Sequence, residues 1–105
     1  MSKAIVLKAE ERFDSGNADA FKAEAAREFE DGATVLVVDF SETRFIDSVG
    51  LGCLVSLLKR AAQCGAKVAL CSLSPQVREI FEMTRLHRLF DIFESKEDAV
   101  ASVED

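Results

Sequence analysis

Residues Thr34 to Phe40 read TVLVVDF, an almost unbroken run of apolar and β-branched side chains. A strand with one wet face alternates apolar and polar residues. A run without alternation marks a strand covered on both faces, the usual state of a central strand in a parallel sheet. The segment therefore demands helices packed above and below it, and the flanking sequence must provide them.

It does. Ala4 to Lys8 (AIVLK) and Lys67 to Cys71 (KVALC) read as further short strands, and Leu89 to Phe93 holds a last one. Asn17 can cap a helix from about Ala18 to Glu30, since its side chain can accept from free N–H groups of the first turn. Phe21, Ala25 and Phe29 make one apolar stripe on that helix. Asp31-Gly32 ends it, with glycine able to take the left-handed conformation. A second helix runs from about Val49 to Gln63, with Leu51, Leu54, Val55, Leu58 and Ala62 on one face, and Gly65 closes it. Ser74-Pro75 pairs an N-cap with proline at the first helical position. The helix it opens carries Val77, Ile80 and Phe81 inward and fades near Thr84. Ser95 with Asp98 is a capping-box-like start for a terminal helix to about Val103. Glu10 to Gly16 reads as a polar turn, and Ser41 to Ile46 as a polar connection ending in the apolar pair Phe45-Ile46. The alternation predicts an α/β fold, a mostly parallel or mixed sheet of four to five strands with helices packed on it. At 105 residues the expectation is a single domain spanning 1–105.

Charge narrows the function. Nineteen acidic against 13 basic side chains give a formal charge of −6, which repels phosphate backbones and anionic membranes. Nucleic acid is therefore not an expected partner. No apolar run reaches the length of a membrane span, and Met1 to Lys8 lacks the pattern of a signal peptide. A cytoplasmic location without direct membrane insertion is expected. Cys53, Cys64 and Cys71 form no Cys-x-x-Cys pair, so reduced, mostly buried thiols are expected. With His87 as the one histidine, neither a metal nor another cofactor is expected. Trp and Tyr are absent, so the eight Phe must supply the aromatic packing.

The informative segment is Asp39 to Gly52, DFSETRFIDSVGLG, which joins the buried strand to a long helix. Binding sites in open α/β sheets collect at the carboxyl ends of strands. Ser48 lies at or next to the N-cap, and Gly50 and Gly52 follow in the first turn. Each glycine costs a helix about 1 kcal/mol, and a missing β-carbon allows close approach by a backbone, a ligand or a partner. Catalytic motifs do not fit. A dinucleotide fingerprint needs glycine at Val55, a nucleophile elbow needs it at Ile46, and no Gly-Lys-Ser/Thr follows. A phosphoacceptor role for Asp39 lacks the acidic pair that should follow the first strand, where Lys8-Ala9-Glu10 stands. No enzyme is expected.

Asp47-Ser48-Val49-Gly50-Leu51-Gly52, preceded by a hydrophobic strand, resembles the signature of the STAS domain family of anti-sigma factor antagonists. The resemblance continues through KVALCSLSPQVREIFEMTRLHRLFDIF and, upstream, through Phe13-Asp14 before a helix. It implies a single STAS domain in which Ser48 is phosphorylated by an anti-sigma factor that is also a serine kinase. The unphosphorylated form binds that factor and releases the sigma factor, and a serine phosphatase resets the switch. It also implies a contact surface made by Asp14, Asp47, Val49, Gly50, Leu51 and Gly52. The alternative is a STAS subunit of a transporter complex or stress-signalling scaffold that binds without phosphorylation.

Simpler roles stand beside these. Ser48 could serve as a helix cap, Asp47 could only favour the positive helix end, and Asp14 could be a turn former. Ser41 and Thr43 read as solvated loop hydroxyls, with a second phosphosite open. His87 reads as part of a solvated basic turn, and Met83 as core or rim.

Overall fold

The computed structural model describes residues 3–102. In chain order the elements are β1 (Ala4–Lys8), β2 (Arg12–Phe13), α1 (Ala18–Glu30), β3 (Val35–Asp39), β4 (Phe45–Ile46), α2 (Ser48–Gln63), β5 (Lys67–Cys71), α3 (Pro75–Met83), a 3-10 turn at Leu86–Arg88, β6 (Asp91–Phe93) and α4 (Lys96–Ala101). Four strands form one all-parallel sheet in the order β1-β3-β5-β6, while β2 and β4 form a separate parallel pair. The expected α/β sheet is therefore present, and the strand anticipated at its centre is there. All five residues of β3 are buried.

Period-two alternation divides the strand residues between two faces. Leu36, Val38, Val68 and Leu70, with Ile5 and Leu7 beside them, pack under α1, α2 and α3 in the main core. Val35, Val37, Ala69 and Cys71 face the other way, where Ala99 and Val100 of α4 cover them. Phe21, Phe13, Phe40, Phe81 and Phe90 form a continuous chain of rings through the main core, with successive centroids 5.0 to 6.2 Å apart. No described helix is long and apolar enough to cross a membrane.

Helix ends follow the chemistry of their residues. After α1, Gly32 takes φ +98°. Its N–H bonds the Phe29 carbonyl and that of Ala33 bonds the Glu28 carbonyl, the paired arrangement that satisfies the last open acceptors of a helix. Ser74 and Ser95 cap α3 and α4, accepting from the N–H groups of Val77 and Asp98. Val103, the expected end of the terminal helix, lies outside the described residues.

Several expectations need correction. Asn17 sits at the N-cap of α1 but makes no side-chain cap; its amide instead accepts from the Asp14 N–H and donates to the Arg12 carbonyl. The turn expected at Glu10 to Gly16 contains β2, which pairs with the Phe45-Ile46 end of the polar connection. The buried face of α2 is Gly50, Cys53, Leu54, Leu57 and Ala61. Leu51, Val55 and Leu58 lie at its margin and Ala62 is exposed, because Gly50 and not Leu51 faces β2. Met83 is 75% exposed, neither core nor rim.

Candidate functional site

Asp47 has extended backbone (φ −108°, ψ −175°) and caps α2: its Oδ1 accepts from the Gly50 N–H at 3.0 Å. Its carbonyl accepts the first helical bond, from the Leu51 N–H. Ser48 is therefore the first helical residue and not the cap. The carboxylate does the work that the hydroxyl could have done. Ser48 is exposed, and no hydrogen bond ties its hydroxyl to a described residue.

The two glycines play different parts. Gly50 is buried. A β-carbon there would collide with the Phe13 carbonyl oxygen and come within 3.0 Å of the Ile46 and Phe13 side chains. The Asp47 N–H also points at the Phe13 carbonyl, at 3.4 Å. The first turn of α2 is thus pressed against the end of β2. Gly52 is exposed, and a β-carbon there would meet nothing within 4 Å. Val49 is 45% exposed and Leu51 is half-buried. Ser48, Val49 and Gly52 therefore form an accessible first turn above a fixed Gly50.

Asp14 follows Phe13 directly, so β2 brings it to the same end of the molecule. It acts as a turn former: its carboxylate accepts from the Gly16 N–H at 2.9 Å and from Arg12 Nε at 3.3 Å. Its carbonyl accepts from the N–H groups of Asn17 and Ala18 at the start of α1. The Arg12 guanidinium also lies 4.1 Å from the centroid of the Phe45 ring, which is 39% exposed. Sequence reading missed this pair; the one trace it left was the apolar Phe45-Ile46 at the end of a polar stretch.

Thr43 is not a solvated hydroxyl. It is fully buried and donates to the Glu10 carbonyl at 2.8 Å, while its own carbonyl accepts from the Ser74 hydroxyl. That burial removes it as a second phosphosite. Asp39 is buried and accepts from the Ser41 N–H at 2.8 Å. His87 is half-buried, with Nδ1 3.2 Å from the Phe81 carbonyl, so it is more tightly held than a solvated turn would be. Burial pushes the Cys53 thiol up to about 11, outweighing the opposing pull of Lys22. Burial raises the Cys71 thiol too. Cys64 is exposed. Among the described residues no group of three or more His, Cys, Asp and Glu side chains is placed to hold a metal ion.

The family model of the STAS domain matches residues 2–99. BtrV of Bordetella bronchiseptica, assigned as an anti-sigma factor antagonist, is 33% identical over 88 residues, covering 84% of this chain and 76% of BtrV. The anti-sigma-B factor antagonist of Listeria monocytogenes is 31% identical, over 76% of this chain and 75% of its own. A crystal structure from Thermotoga maritima, of a protein assigned as an anti-sigma factor antagonist, superposes with a TM-score of 0.87 at 27% identity. It covers 95% of this chain and 86% of that one.

Proposed function

The chain belongs to the STAS domain family, and from that premise we propose that it is an anti-sigma factor antagonist switched by phosphorylation of Ser48. Its unphosphorylated form binds a cognate anti-sigma factor with serine kinase activity, and a serine phosphatase restores it. The docking surface is the start of α2 with its flank: Asp47, Val49, Leu51 and Gly52, together with Asp14. Gly50 contributes by holding the turn against β2.

The observation that carries this reading is the division of labour between neighbours. Asp47 caps the helix, so the exposed Ser48 hydroxyl has no structural duty. A phosphate adds about −1.5 to −2 charges at pH 7. At a helix N-terminus the open N–H groups and the dipole accommodate an anion, so the domain keeps its fold. Against a docked partner the same charge must be desolvated beside Asp47. A tenfold loss of affinity needs only about 1.4 kcal/mol, well within reach of such a charge.

Peptide mapping of the protein from its own host, growing and stressed, tests the reading. Phosphate on Ser48 in a fraction that changes with condition supports it. Unmodified Ser48 in every condition overturns the switch. In vitro, Ser48→Glu is expected to weaken binding to the cognate anti-sigma factor at least tenfold with an unchanged far-UV spectrum, while Ser48→Ala binds like the parent.

A further inference from the structure

The two edges of the main sheet are unlike. β6 has three residues and begins with the exposed Asp91, a short and charged edge of the kind that resists pairing. β1 has five residues, and its centre, Ile5-Val6-Leu7, carries neither charge nor proline. Among the described residues β1 pairs only with β3. Its outer backbone groups are therefore a template for another strand.

Val6 is the weak point in the cover. Its row partner Val37 is fully buried, yet Val6 is 39% exposed. Beside it lies an open groove of about 420 Å³, lined by Val6, Lys96, Glu97, Val100 and Ala101. The groove is apolar along β1 and carries one cation and one carboxylate on α4.

We propose that β1 is a self-association edge, pairing antiparallel with β1 of a second copy about a two-fold axis at Val6. A two-fold contact must be self-complementary, and this strand is. Centred on Val6, the register sets Val6 against Val6, Ile5 against Leu7, and Ala4 against Lys8. No like charges face each other, and directly opposed residues share a face. The Val6 side chains therefore meet on the α4 side, where the two grooves join. Lys96 and Glu97 line both grooves, so each copy offers the other an opposite charge. The product is a continuous eight-stranded sheet.

Sedimentation velocity from micromolar to millimolar protein should show reversible dimerisation, and Val6→Lys should abolish it with an unchanged circular dichroism spectrum. Opposed residues in an antiparallel pair lie about 4.5–5.5 Å apart between Cα atoms, inside the disulfide range of about 4.4–6.8 Å. Lys8 and its symmetry mate are four residues out of register, roughly 13 Å or more apart. In a background where the exposed Cys64 is replaced by serine, Val6→Cys should therefore form a covalent dimer at least tenfold faster than Lys8→Cys. A protein monomeric throughout the range, a dimer that survives Val6→Lys, or equal cross-linking at both positions overturns the proposal. Binding of the anti-sigma factor is measured separately, at the start of α2, so the two readings can fail independently.

Discussion

Gly50 and Gly52 lie on one turn of one helix, and their surroundings give alanine opposite effects. Gly50→Ala drives a methyl into the Phe13 carbonyl and should destabilise the protein by about 1–3 kcal/mol, the usual cost of overpacking. Gly52→Ala meets open space and should stabilise it by up to about 1 kcal/mol through helix propensity. Urea titration of the two variants checks both signs. If the proposed docking surface is right, Gly52→Ala should also bind the anti-sigma factor more weakly, despite its greater stability. Asp47→Ala removes the cap of α2 and should cost about 1 kcal/mol. Ser48→Ala should stay within about 0.5 kcal/mol of the parent, as surface changes usually do; a larger loss would mean that the hydroxyl has a structural role after all.

The loop between β3 and α2 is pinned from inside. Thr43 bonds the Glu10 carbonyl, and the N–H groups of Arg44 and Phe45 point to the Glu11 carbonyl. Thr43→Val keeps the shape but leaves the part-buried Glu10 acceptor without its hydroxyl donor. It should cost about 1–3 kcal/mol, read as a shift in the unfolding midpoint without a change in slope. Sequence alone could find the long elements, because TVLVVDF and the Phe21-Ala25-Phe29 stripe carry their periods over several residues. It could not find β2 and β4, since two residues hold no period. Nor could it orient α2: Gly50 and Cys53 add little weight to an apolar pattern, yet Gly50 is pressed against Phe13 and the Cys53 thiol against the Ala18 carbonyl, which places both inside. The same limit applies to Asn17, whose side chain competes between a helix cap and a turn and is used by the turn. The Asp47-Ser48 order was visible, but which of the two capped the helix depended on backbone angles. Thr43 looked like a loop hydroxyl because nothing local reveals that residues 9–11 pass over it.

Across the whole molecule, burial keeps two of the three thiols protonated. Folded Cys53 holds its proton up to about 11, whereas an unfolded chain releases it near 9.0. The folded state thus binds more protons between those values, and stability must fall as pH rises through them. The contribution is complete below about pH 9 and lost toward 11, and Cys53→Ala should flatten that decline in urea titrations across the window. At neutral pH a thiol reagent should find one fast cysteine, Cys64, and reach Cys53 and Cys71 only on unfolding. The order of the chain has its own effect. α4 is the last described element, and it covers Val35, Val37, Ala69 and Cys71 on the second face of the sheet. During synthesis, β1, β3 and β5 leave the ribosome well before their cover does. A nascent chain therefore carries a bare apolar sheet face until α4 emerges, and a premature stop before Ser95 should yield a product that chaperones hold or proteases remove.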